Sequence, residues 1–269
     1  MSTVAALWRY PVKSMLGETL DSAQITAGGV AGDRALALVD EETGKVVSAK
    51  NPLKWPNLFA CRAATAGGGA IIITLPDGQT VRSDSADAAE RLSAALGRKV
   101  GIRSVAPAAP TLEQFWPEHE GQANEVSAEA VAGDAPAGSF FDYSALHILT
   151  TATLAALRKV YPQGSIDARR FRPNLVVEAA GEGFVENDWV GRTVKIGGAR
   201  FAISDPCPRC VMPTLAQEEL PRDPGLFVKA IAANKPMVPF AGRPLPSVGV
   251  YARVVEPGVV RRGDRAEIC

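Results

Sequence analysis

The sequence predicts a mainly β protein of the α+β class, arranged as two β-rich domains with few helices. Three observations predict it. Short apolar runs separated by Gly, Pro and Asp turn residues recur along most of the chain. Only a few stretches carry the apolar spacing and capping residues of a helix. The 269 residues, 46% of them hydrophobic, suffice for two cores of ordinary domain size.

Strands are expected at 4–8, 35–39, 58–61, 71–75 and 100–105, with Glu41-Glu42-Thr43-Gly44 and Pro76-Asp77-Gly78 supplying hairpin turn chemistry. A helix is expected over 85–96, where good helix formers follow Ser85 and Gly97 marks the stop. Residues 106–140 have little periodicity and read as a long connection or flap, its ends pinned by Phe115, Trp116, Phe140 and Phe141. The second part predicts a strand at 146–149, a helix over 153–161 and strands at 175–178, 193–196, 202–204, 248–255 and 261–268. A further helix is expected near 225–234. Many short strands with few helices indicate a barrel or a strongly curved sheet. The linear division is 1–105, 106–140 and 141–269. No tandem repeat is visible, and Gly67-Gly68-Gly69 is the one low-complexity tract.

Lys and Arg number 29, as do Asp and Glu, so no global field draws the chain to nucleic acid or to an acidic membrane. An anion site would have to be local. No apolar run reaches the ~18 residues of a membrane helix. The N-terminal residues lack the basic and apolar regions of a secretory signal. With four scattered cysteines, Cys61, Cys207, Cys210 and Cys269, the expected setting is reducing and cytoplasmic.

Cys207-Pro208-Arg209-Cys210 is the sharpest local motif. A Cys-x-x-Cys pair can be half a zinc site, a dithiol redox centre or a soft-metal ligand. Cys61, Cys269, His119 and His147 are too scattered to complete a zinc site of ordinary spacing. Pro213 falls where the helix of a thioredoxin-like pair would run. Two inert buried thiols stay possible. Around the pair, Arg209, the cluster Arg169-Arg170-Phe171-Arg172-Pro173-Asn174 and Lys13-Ser14 are groups suited to gripping phosphate. Taken singly, each could be a solvated surface charge. His147 reads as a satisfied core or neighbouring residue and His119 as a surface one. Cys61 reads as core and Cys269 as a terminal thiol. Asp205 could orient Arg209 or relay protons, or merely cap a turn.

These motifs, in this order, resemble the MOSC family, named for the C-terminal domain of molybdenum-cofactor sulfurases. Tyr10-Pro11-Val12-Lys13-Ser14 and Gly32-Asp33-Arg34 are similar to its N-terminal β-barrel domain. Phe171-Arg172-Pro173-Asn174, Trp189, Gly191, Cys207-Pro208-Arg209-Cys210, Gly249-Val250-Tyr251, Glu256-Pro257-Gly258 and Gly263-Asp264 are similar to the MOSC β-barrel domain itself. The resemblance spans nearly the whole chain and is nearest to the two-domain amidoxime-reducing type. It implies a molybdopterin cofactor between the domains and Cys210 as the metal-binding thiolate. It also implies cofactor contacts from Lys13, Ser14, Arg34, Ser144, Arg172, Asn174, Pro208, Arg209 and Tyr251, with Cys207 a neighbour tolerant of substitution. Pro208 stands where characterised relatives have serine, so only its carbonyl could serve.

The resemblance further implies a molybdenum oxidoreductase that reduces N-hydroxylated compounds or N-oxides. No iron–sulfur cysteine spacing or dinucleotide-binding glycine pattern occurs, so electrons are expected from a separate ferredoxin- or flavin-type reductase. The rival expectations are a carrier of molybdenum cofactor or sulfur, and a β-rich interaction module with inert cysteines.

Overall fold

A computed structural model describes residues 2–116 and 124–269. His119, Glu118 and Glu120 lie outside the described residues. The fold is predominantly β, with two α-helices, Ala88–Leu96 and Thr151–Val160, among the described residues. The chain forms two compact units that are discontinuous in sequence. One comprises Met1–Trp8, Thr19–Ala31 and Ser144–Cys269; the other comprises Arg9–Glu18 and Gly32–Tyr143.

The first unit is built on a closed seven-stranded barrel of β1 (Ser2–Arg9), β2 (Leu146–Thr150), β3 (Leu175–Glu178), β4 (Thr193–Ile196), β5 (Ala199–Pro208), β6 (Ser247–Glu256) and β7 (Arg265–Ile268). Around the barrel the order is β3, β2, β6, β5, β4, β7, β1, and antiparallel pairing of β1 with β3 closes it. Closure leaves no open edge and explains why the first strand of the chain joins strands near its end. The barrel interior is apolar, with Leu7, Ile148, Val177, Phe201 and Val250 in one buried cluster. A second cluster lies beneath the helix Thr151–Val160 and includes Leu154, Leu157 and Phe171. Thr150 caps this helix by accepting the backbone N–H of Thr153 through its side chain.

Strand β5 differs from its expected span, 202–204, by running on through Asp205, Pro206, Cys207 and Pro208. Proline ordinarily ends an interior strand because it gives no N–H to the ladder. Here the pairing with β6 shifts register between Ile203 and Asp205 and again between Pro206 and Pro208, and these irregularities accommodate both prolines. The Cys motif therefore begins on a barrel strand rather than on a loop.

In the second unit, Ala37–Asp40 pairs with Val100–Arg103, and Arg62–Thr65, Ile71–Thr74 and Thr80–Arg82 form a three-stranded sheet. Residues 58–60, expected as strand, form a 3₁₀ turn, and the strand follows it. The helix starts later than Ser85, at Ala88, because the Ser85 hydroxyl donates to the carbonyl of Arg82 and closes a turn instead. Gly97, at φ +70°, ends it. The segment 106–140, expected as a connection, contains the antiparallel pair Thr111–Trp116 and Glu125–Ala130, with Leu112 buried beside Val46 and Phe140. The helix expected over 225–234 is a wide turn, Leu226–Ala230, followed by a 3₁₀ turn, Ile231–Ala233. No helix among the described residues is long and apolar enough to cross a membrane.

Candidate functional site

In the barrel unit, the residues singled out from sequence gather at the ends of β2, β5 and β6. Cys207 is 1% exposed, and Arg209 donates from Nη1 to its sulfur at 2.9 Å. The same guanidinium donates from Nη2 to the carbonyl of Phe171 at 3.0 Å and lies over the Phe171 ring. Its Nε is buried without a hydrogen-bond partner. Burial pushes the Cys207 thiol up, but the charges of His147 and Arg209, with hydrogen bonds from His147 and Tyr251, more than offset it and hold Cys207 at about 6. These neighbours favour the thiolate form of the buried Cys207. Cys207, expected as a neighbour of the metal-binding cysteine, is the sulfur that Arg209 contacts. Arg209, adjacent to Cys210 in the chain, makes its hydrogen bond to Cys207. Cys210 itself lies just past the strand end and is half-buried.

His147 packs here as a satisfied residue. Its Nε2 lies 3.0 Å from the carbonyl oxygen of Val248, and its ring is tilted against Tyr251 at 6.3 Å. It sits directly on Gly249, where a Cβ would come within 2.2 Å of Nε2. Asn174 is 1% exposed and ties three barrel strands: its Oδ1 accepts the N–H of His147, and its Nδ2 donates to the carbonyl of Trp8. Ser144 donates to the carbonyl of Ala252. Arg172 caps the 3₁₀ turn Ala168–Phe171 at φ +53°. Asp205, expected to orient Arg209, relay protons or cap a turn, accepts the backbone N–H of Phe240 at 3.4 Å. The guanidinium of Arg209 is taken up elsewhere.

In the other unit, 10–14 and 33–36 run side by side. Arg34 N–H donates to the carbonyl of Tyr10, Leu36 N–H to that of Pro11 and Lys13 N–H to that of Leu36. This ladder brings Lys13 and Arg34 into one cluster. Arg34 pairs with Asp33 and lies 4.7 Å over the ring of Tyr10. Lys13, 5% exposed, donates from Nζ to the carbonyl of Phe140 and pairs with Asp142. Lys50 Nζ lies 3.3 Å from the other oxygen of Asp142. Burial lowers Lys13 to about 8 against the pull of Asp142, so it stays mostly charged at neutral pH. Lys50 and Asp142 were not singled out from the sequence; Lys50 lies in an ordinary turn segment and Asp142 at the edge of the connection.

Six non-glycine residues among the described residues have positive φ, and three of them are candidate site residues: Ser14, Arg34 and Arg172. Such conformations cost of order 1–3 kcal/mol and persist where surrounding structure fixes them, often at binding sites.

The family profile of the MOSC domain matches residues 136–267, and that of the MOSC N-terminal beta barrel domain matches residues 1–105. The chain belongs to the MOSC family. This family is associated with the molybdenum cofactor. The MOSC chain is 25% identical to mitochondrial amidoxime-reducing component 1 of Mus musculus over 98% of its own length and 81% of that protein. It is 26% identical to mitochondrial amidoxime reducing component 2 of Macaca fascicularis over 98% and 82%. Among solved structures, YuaD of Bacillus subtilis is similar with a TM-score of 0.45 and 16% identity, covering 100% of this chain and 96% of that one.

The donor set fits such a cofactor. Among the described residues no three His, Cys, Asp or Glu side chains converge to hold a metal ion. A dithiolene-bound metal brings its own sulfur ligands and would need only one further thiolate from the protein. A thiol sulfur suits that soft centre, and the buried, partnerless Nε of Arg209 offers an anionic group one further hydrogen bond.

Proposed function

We propose that this MOSC protein binds the molybdenum cofactor and reduces N-hydroxylated compounds such as amidoximes, or N-oxides, with Cys210 as the metal ligand. The observation that carries the assignment within the pair is the contrast between its sulfurs. Cys207 is fully buried and committed to Arg209, whereas Cys210 lies half-buried beyond Pro208. That contrast supports the second as the sulfur that takes an incoming ligand. Arg172 and Arg209 would hold anionic parts of the group, with Tyr251 and the Pro208 carbonyl as polar contacts. Asn174 and Ser144, whose side chains tie barrel strands, would keep those contacts in place. Lys13, Ser14 and Arg34 would serve its phosphate end through charge and hydrogen bonds. When bound, the cofactor supplies two-electron oxygen-atom chemistry, and the protein supplies orientation and the thiolate. Electrons come from a separate ferredoxin- or flavin-type reductase. The names of the two amidoxime-reducing relatives support this substrate class.

The test is to purify the chain from a host that makes the cofactor, then measure molybdenum, released pterin and amidoxime reduction with an artificial electron donor. Wild type is expected to contain both metal and pterin and to reduce amidoximes; Cys210→Ala should lose molybdenum and activity. An active, metal-replete Cys210→Ala would overturn the ligand assignment. Metal and pterin without reductase activity would favour a carrier.

A further inference from the structure

Asp142 is held in an unusual way. Its two carboxylate oxygens go to two different ammonium groups, one to Lys13 and the other to Lys50 at 3.3 Å. Lys13 is fixed from a second side by the carbonyl of Phe140 at 2.8 Å. Two oxygens of one anion, each on its own ammonium, is also how a phosphate would sit. Arg34 is paired with Asp33, and Lys13 and Lys50 share the Asp142 carboxylate.

We propose that Lys13 and Lys50 form a paired-ammonium seat for a phosphate group, and that Asp142 is a built-in counter-ion which the phosphate displaces. The proposal rests on the cofactor reading above for the source of the phosphate, but the seat itself can be tested without it. A phosphate dianion matches two ammonium groups, where a carboxylate matches one. The Asp142 side chain is 35% exposed against 5% for Lys13, so the carboxylate lies on the open side of the seat. The backbone around it is pinned, with Ala132 N–H donating to the carbonyl of Phe141 and Asp134 N–H to that of Tyr143, both at 2.8 Å. Displacement then exchanges the two lysine pairings of Asp142 for those of the phosphate and turns the side chain toward its exposed side, with the backbone left in place. Protonation does not empty the seat: although burial opposes it, Lys13 and Lys50 hold the Asp142 carboxyl far below the usual carboxylate range. A competing anion must do so. Lys50 becomes a binding residue, and Asp142 a gatekeeper for charge.

Inorganic phosphate is the probe, titrated calorimetrically at fixed ionic strength into the full chain made in a host unable to synthesise the cofactor. Asp142→Asn, which keeps the side chain's shape without its charge, should bind phosphate about tenfold tighter than wild type, and Lys50→Gln about tenfold weaker. Unchanged or weaker binding by Asp142→Asn would overturn the counter-ion role, and wild-type binding by Lys50→Gln would overturn the seat. Asp142→Asn removes no cation, so it decides the matter even if Lys50→Gln does not fold. Pterin content of wild type from a cofactor-making host is scored separately. Its absence counts against the proposed function alone, while the phosphate titration still decides the seat.

Discussion

Cys61 and Cys207 are the same side chain, equally hidden from solvent, yet their acidities move in opposite directions. Cys61, in the unit that carries Lys13, has burial alone acting on it and is pushed up to about 11; its thiol donates weakly to the carbonyl of Asn57. Cys207, in the barrel unit, is also pushed up by burial but faces His147 and Arg209 and is held at about 6. Glu186, also in the barrel unit and fully buried, behaves like Cys61: burial raises it, and the hydroxyls of Thr150 and Thr153 at 2.6 Å only moderate the rise. Neighbouring cations, not depth, decide which buried acid is charged.

The strongest way to break the contrast is Arg209→Met. The thiolate would lose its hydrogen-bonded cation, and Cys207 would take up a proton rather than remain an unpaired buried charge. A loss of about 3 kcal/mol near neutral pH is expected by denaturant unfolding. The sign with pH follows from the shift. Between about 6 and the usual 9.0 the unfolded chain holds the Cys207 proton and the folded chain does not, so stability rises with pH across that window and is lost as pH falls through 6. Arg209→Met and Cys207→Ala should both flatten this rise. A wild-type curve already flat from 6 to 9 would mean that Cys207 is not the thiolate.

A smaller effect is expected from Gly249→Ala. Gly249 has φ +77°, and a methyl there would meet His147 Nε2 at 2.2 Å and the carbonyl oxygen of Ile148 at 2.6 Å. His147 must shift, and part of the charge that stabilises Cys207 shifts with it. The loss should be about 2 kcal/mol. The distinguishing readout is the midpoint of thiolate absorbance near 240 nm, taken as the difference from a Cys207→Ser chain and expected to rise. A destabilised protein with an unmoved midpoint would assign Gly249 to backbone geometry only.

Much of this arrangement was legible in the sequence because it is written in local motifs. Tyr10-Pro11-Val12-Lys13-Ser14, Gly32-Asp33-Arg34, Phe171-Arg172-Pro173-Asn174 and the Cys pair each keep their chemistry within a few residues, and the apolar runs foretold a β-rich fold. What stayed hidden depends on pairing across long separations. Cys207 looked inert because its partner His147 lies 60 positions earlier, brought beside it by β2, β6 and β5 lying in sequence around the barrel. Lys50 and Asp142 are remote from Lys13 in the chain and carry no turn or cap signal of a shared site. The hairpin within 106–140 was missed because Glu125–Ala130 alternates only weakly, being mostly exposed or half-buried on both faces.

The smallest predicted change, Cys61→Ala, sharpens the comparison from the other side. Cys61 sits in the core and acts as a small hydrophobe, so its removal should cost about 1 kcal/mol through lost packing. Its pH signature has the opposite sign to that of Cys207. Between the usual 9.0 and about 11 the folded chain keeps the Cys61 proton while the unfolded chain has released it, so stability falls as pH rises through that window. Cys61→Ala should abolish this fall and leave the rise between 6 and 9 intact, just as Cys207→Ala should do the reverse. Independent loss of the two slopes in the single variants, and of both in the double variant, would establish that each thiol answers only to its own surroundings. If removing Cys61 also flattened the 6-to-9 rise, that rise would not belong to Cys207, and the barrel-mouth thiolate would have to be abandoned.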